Sequence, residues 1–158
     1  MADLRVIMLA LAACGSAGAQ PEPVSGVTPP QGWQALPAAA TAAKTAAGAP
    51  GIVVDHVQAW GELDAGCYAL WFALHGDSGG SDAIAKEIVE GLVAENFVVS
   101  DSAASGGVLE LAIERAPYKG RIRAQVGDGK VAGIACVANQ RDPASCVAPC
   151  KAMLGVVK

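Results

Sequence analysis

The feature that most constrains the fold is the segment at residues 67–75, which reads Cys-Tyr-Ala-Leu-Trp-Phe-Ala-Leu-His. A strand-length run without a charged residue before its last position predicts a buried strand. The chain has 158 residues, 53% of them apolar, which is enough for one domain with a real core. Aromatic residues make up 4%, so that core must be mainly aliphatic. The net charge of −4 argues against nucleic acid as a partner, because phosphate binding needs a cationic surface.

The N-terminal residues have the layout of a secretory signal. Arg5 precedes an apolar run at residues 6–13, which is too short to span a bilayer. The sequence Leu-Ala-Ala-Cys at residues 11–14 resembles the lipobox of bacterial lipoproteins, although Asp3 offsets the charge of Arg5. This resemblance implies cleavage before Cys14, a diacylglyceryl group on its thiol, and acylation of the new amine. The chain would then bind a membrane through its lipid anchor.

The segment from residue 15 to residue 50 differs in composition from the rest of the chain. It holds six of the nine prolines, and its only charged residues are Glu22 and Lys44. Proline at this density disfavours both helices and strands. We therefore expect a tether here, in which Trp33 either docks on the domain, inserts among lipid headgroups or stays free.

These features predict three parts. Residues 1–13 are the signal peptide, residues 14–50 the lipidated cysteine and tether, and residues 51–158 a single globular domain. The expected location is the bacterial cell envelope. Gly15 favours the outer membrane, since lipoproteins retained at the inner membrane commonly carry aspartate at this position.

The pattern of the domain predicts an α+β fold. We expect a single antiparallel or mixed sheet of four to five strands, with helices packed on one face, in the order β-α-β-β-β-α. A four-residue loop at 117–120 would place Glu114 opposite Arg123. The expected elements are a helix at 81–96, a partly helical tail from 142, and strands at 67–75, 109–114, 121–126 and 131–138. Residues 97–100 form either a short strand or the exit of the helix, and residues 101–107 form a polar loop.

Four cysteines lie in this domain, at positions 67, 136, 146 and 150. Export makes disulfides the default, with free buried thiols as the alternative, and a zinc site is a weak rival because the cysteines lack paired C-x2-C spacing. Cys146 and Cys150 are too close along a helix to pair well with each other. Each is therefore expected to bridge to Cys67 or Cys136, and the assignment stays open. We expect a three-residue loop at 127–129, because that register turns Cys136 toward the core face that the tail should cover.

A Gly-Asp-Ser-Gly-Gly motif at residues 76–80 resembles the nucleophile loop of chymotrypsin-like serine proteases. We reject that assignment, because the chain is too short for two β-barrels and has Ser81 where those enzymes have proline. An alternative is a small hydrolase on another fold, in which Ser78 works with His75 or His56.

Four basic residues lie close together around one predicted hairpin: Arg115, Lys119, Arg121 and Arg123. They could meet an anionic lipid, a glycan or an acidic partner, or they could form a solvated face balanced by Glu110 and Glu114. No phosphate loop or metal-binding spacing is present, so we expect no cofactor and no metal. The expected function is a lipid-anchored, disulfide-stapled binding or structural module of the envelope, with an envelope protein as partner, and the hydrolase is the alternative.

Overall fold

Seven antiparallel strands form one sheet in the order β1-β2-β3-β7-β6-β5-β4. The computed structural model describes residues 27–47, 51–76 and 80–158. The strands are β1 Gln34–Ala35, β2 Ile52–Glu62, β3 Cys67–Gly76, β4 Val98–Ser105, β5 Val108–Arg115, β6 Tyr118–Gly127 and β7 Lys130–Asn139. The helices among these residues are α1 Pro37–Ala47, α2 Gly80–Ala94 and α3 Ala144–Leu154.

The α+β prediction of four to five strands is wrong, because the sheet has seven. Two of these strands, β1 and β2, were not predicted, and β4 was predicted only in part. β2 contains the polar pair Asp55 and His56 beside a register irregularity, so its alternation is broken. β4 begins within residues 97–100 and continues to Ser105 as an exposed edge strand through residues predicted to form a loop. β1 is only two residues long. The element order therefore differs from the predicted β-α-β-β-β-α.

The described part of the predicted tether belongs to the fold. β1 pairs with β2, and the Leu36 amide donates to the Ala59 carbonyl at 2.8 Å. Trp33 is only 3% exposed, and the small side chains of Ala39 and Ala43 let α1 lie close to its neighbours. Pro37 occupies the first helical position, where a missing N–H costs little. The tether assignment is therefore corrected for residues 27–47, whereas residues 14–26 and 48–50 lie outside the described residues.

The first face of the sheet carries the larger apolar core. Alternate residues of the central strands point to this face and pack against α1 and α2. Ile84 and Leu92 lie eight residues apart on α2 and are both buried there, as expected of an amphipathic helix. The large buried side chains that the sheet contributes to this core are Tyr68, Phe72, Leu74, Leu109, Leu111, Ile113, Ile122, Val131 and Val137.

The second face of the sheet carries a separate apolar core under α3. Cys67, Ile134 and Cys136 point to this face, and Met153 of α3 packs with them. Helices therefore cover both faces, which corrects the prediction that they lie on one. The residues around Trp33 also pack against this second core.

The β6–β7 turn explains why α3 lies on the second face. The turn has two residues, Asp128 and Gly129, and both have positive φ, as a type I′ hairpin requires. Val126 then pairs with Val131, and Cys136 points away from the first core. The predicted three-residue loop is wrong, because it assumed that the tail covers the same face as Ile122.

The β5–β6 turn is also shorter than predicted. Its loop contains two residues rather than four, so Glu114 lies opposite Lys119 and Arg123 lies opposite Glu110. The predicted partner of Glu114 was four positions further along β6. Side chains alternate between the two faces along a strand, so a register change of four residues moves none of them to the other face. Glu114 and Arg123 therefore still point to the second face, as predicted.

Candidate functional site

The four cysteines of the domain form two disulfides, Cys67–Cys146 and Cys136–Cys150. The prediction that each tail cysteine bridges to a strand cysteine is confirmed, and the open assignment is now fixed. Both bridges fasten α3 to the second face. The described part of the chain contains no cluster of three or more histidine, cysteine and acidic side chains able to hold a metal ion.

The two histidines singled out by the sequence have different neighbours. His75 Nδ1 lies 2.9 Å from Oδ2 of Asp55, with both side chains more than one-third exposed. The His56 ring lies 6.1 Å from the Trp71 ring, with an angle of 31° between their planes. Ser78, which the hydrolase alternative needs, lies outside the described residues, as does Cys14.

Four side chains from β2 and β3 form one row on the second face, and we call them the Trp71 row: Trp71, His56, Asp55 and His75. Trp71 and His75 share a face because four residues separate them on β3. The irregularity between Val54 and His56 sets His56 opposite Ala73 and brings Asp55 to His75. Sequence reasoning missed Asp55 and Trp71, since the first depends on this irregularity and the second lay in a run predicted to be buried.

Within residues 27–47, 51–76 and 80–158, the Trp71 row is partly open to solvent, with Asp55 and His56 exposed and Trp71 and His75 partly exposed. Its floor is made of small residues, because Ala73 lies between Trp71 and His75 and pairs with Ala132 of β7. The two disulfides hold α3 over the other end of β3, above Cys67. Among the described residues, no strand pairs with the outer edge of β2 before Trp60.

The predicted basic patch is divided between the two faces. The Arg115 guanidinium lies 5.4 Å from the Phe97 ring centroid, on the side of the first core. On the second face, Lys119 lies 3.4 Å from Glu114, and Arg123 lies 3.3 Å from Glu110. Arg121 is exposed and makes no ion pair within the described residues. The arrangement is that of a solvated face with paired charges, and a single cationic surface is not formed.

Comparison of the chain with protein-family models, with curated proteins and with solved structures found no match. Within residues 27–47, 51–76 and 80–158, no helix has the length and hydropathy needed to cross a bilayer. The functional argument therefore rests on the side chains themselves.

Proposed function

We propose that the chain is an exported, lipid-anchored domain that acts as a binding or structural module of the bacterial cell envelope. The observation that carries this proposal is the cysteine pairing. Two disulfides use Cys67, Cys136, Cys146 and Cys150, and such bonds persist mainly in oxidising compartments. The chain has five cysteines, and Cys14 is the one that takes no part in these bridges. It comes directly after the apolar run at residues 6–13.

The anchor hypothesis gives Cys14 a chemical role that the other cysteines do not share. A thioether-linked diacylglyceryl group and an acylated amine together place several acyl chains in a membrane, which is enough for stable attachment. The domain would then stay at the membrane surface, where the open second face can meet an envelope protein or polymer. The outer membrane remains the favoured location, because Gly15 rather than aspartate follows Cys14.

The test of the anchor is the Cys14→Ser variant, expressed beside a Ser16→Ala control. We expect the control to incorporate radiolabelled palmitate and to enter the detergent phase on phase partitioning. The Cys14→Ser chain should lose the label and leave the detergent phase, while its domain keeps both disulfides. Equal detergent partitioning of the two variants would refute the anchor.

The Asp55–His75 pair is the one observation that favours the hydrolase alternative. A carboxylate that accepts from Nδ1–H orients the imidazole and leaves Nε2 to accept a proton from a hydroxyl nucleophile. Ser78, three residues after His75, would be that nucleophile. Under this alternative, Ser78→Ala and His75→Gln should each abolish hydrolysis of a chromogenic ester, and Ser81→Ala should retain it. A Ser78→Ala chain with full esterase activity would remove the alternative.

A further inference from the structure

The three tryptophans of the chain differ in exposure. Trp33 and Trp60 are buried in the second core, with 3% and 4% of their surface exposed. Trp71 only partly packs against that core, and the rest of its side chain is open. Tryptophan combines a large apolar surface with a polar N–H, and at exposed positions it is enriched among residues that dominate binding.

The neighbours of Trp71 fit a ligand that is rich in hydrogen-bond donors. With Nδ1–H of His75 donating to Asp55, Nε2 of His75 is left as an acceptor. The Asp55 carboxylate has four lone-pair sites and is 39% exposed, so it can accept further bonds from a ligand. The row thus offers acceptors at one end and an aromatic ring at the other.

The length of the row indicates an extended ligand. Trp71 and His75 are four residues apart on one strand, which corresponds to about 13 Å. Ala73 and Ala132 make the surface low on the β7 side of His56, so a chain molecule can lie along β3 between Trp71 and His75. A saccharide chain suits this surface, because each ring has an apolar C–H face for Trp71 and hydroxyl donors for Asp55 and His75.

The charges near the row differ between its two ends. Asp55 lies at the His75 end and would repel an anion, although the exposed Lys130 of β7 lies opposite His75. At the other end, the residues opposite Trp71 are Gln58 and Ile134, and neither carries a charge. A ligand without negative charge along its stacked portion is therefore favoured.

We propose that the Trp71 row binds an N-acetylated glycan strand of the cell wall. Trp71 stacks on the apolar face of one sugar, and Asp55 and His75 Nε2 accept from hydroxyl and acetamido N–H groups of later sugars. This ligand class rests on the envelope location proposed above, since that location brings the domain to the wall.

The first experiment titrates the full, disulfide-intact chain with the β-1,4 tetramer of N-acetylglucosamine and follows tryptophan fluorescence. Because the other two tryptophans are buried, the signal should come from Trp71. Asp55→Asn should weaken binding by about tenfold, which corresponds to the loss of one charge-assisted hydrogen bond. Asp64→Asn removes the same charge from the exposed β2–β3 turn and should bind like the wild type. Equal affinity of the two variants, or no binding of the tetramer by the wild type, would overturn the proposal.

Two further measurements cover folding and ligand class. Trp71→Ala removes part of a core contact, so His56→Ala serves as a second variant at an exposed position. It removes the ring 6.1 Å from the Trp71 ring, and it should also weaken binding because Trp71 is then held less firmly. Cellotetraose, which carries hydroxyls in place of acetamido groups, should bind more weakly than the N-acetylated tetramer. Equal binding of both sugars would overturn the N-acetyl assignment.

Sedimentation with purified peptidoglycan sacculi separates this proposal from the anchor. The Cys14→Ser chain should co-sediment with sacculi although it no longer partitions into detergent. A lipidated chain that fails to sediment with sacculi would overturn the glycan proposal and leave the anchor standing.

Discussion

On the first face of the sheet α2 is held by aliphatic side chains, whereas on the second face α3 is held by two disulfides. α2 buries Ile84 and Leu92 fully and several neighbours in part. α3 buries only Cys146 and Met153 and contains Pro149. Burial of one large aliphatic side chain contributes roughly 1.5–3 kcal/mol, so α2 can dock without a covalent link. The attachment of α3 to the second face therefore depends on an oxidising environment, whereas the packing of α2 on the first face does not.

The largest expected effect comes from removing the bridge between distant parts of the chain. Cys67 and Cys146 are 79 residues apart, and the chain-entropy relation gives about 4.5 kcal/mol for a loop of that size. The double variant Cys67→Ala/Cys146→Ala should lose about that much unfolding free energy in urea titration. A loss below about 1 kcal/mol would mean that α3 is held by packing, as α2 is.

The second prediction tests the aliphatic core of the first face. Leu111 is completely buried in β5, and Leu111→Ala should lower the unfolding free energy by about 3–4 kcal/mol through lost burial and a cavity. We expect the same loss in a Cys136→Ala/Cys150→Ala background, because the two changes act on opposite faces. A much smaller loss in that background would show that the faces are energetically coupled.

The third prediction separates the two bridges by reduction. Cys67 and Cys146 are buried, whereas Cys150 is only partly buried, so a reducing thiolate reaches the Cys136–Cys150 bridge more easily. Limited reduction followed by alkylation and mass spectrometry should label Cys136 and Cys150 first. The matching variant Cys136→Ala/Cys150→Ala should cost at most about 3 kcal/mol, since this bridge closes a short loop of separation 14. Earlier labelling of Cys67 and Cys146 would contradict the burial argument.

Sequence reasoning succeeded where a periodic pattern decides the structure. The helix at 81–96 corresponds to α2, and the strands at 109–114 and 121–126 correspond to β5 and β6, because these elements bury one face each and show it as a periodic pattern. It failed at α1, where small alanines provide the contact surface and leave no large apolar stripe. It also assigned the side chains of β7 to the wrong faces of the sheet. The predicted loop was one residue longer than the Asp128-Gly129 turn, and one residue is enough to reverse the direction of every β7 side chain.

The candidate site was predictable only in part for a similar reason. His75 and His56 were identified as residue types able to carry chemistry. Asp55 reaches His75 only through the irregularity in β2, which no local pattern announces. The exposure of Trp71 depends on where α3 lies, and that position is set by the disulfide assignment.

The smallest expected effect concerns the ion pairs on the open half of the second face. Lys119 and Glu114 are well exposed, whereas the Arg123 side chain beside Glu110 is only 35% exposed. Exposed pairs contribute up to about 1 kcal/mol, so Glu114→Gln should change the unfolding free energy by no more than a few tenths. Glu110→Gln should cost more, because water solvates the Arg123 guanidinium less freely. Urea titration at low and high salt checks both, and the Glu114 effect should shrink at high salt. Losses of several kcal/mol from Glu114→Gln would show that charge pairs hold this half of the face, and that the disulfides are not its main support.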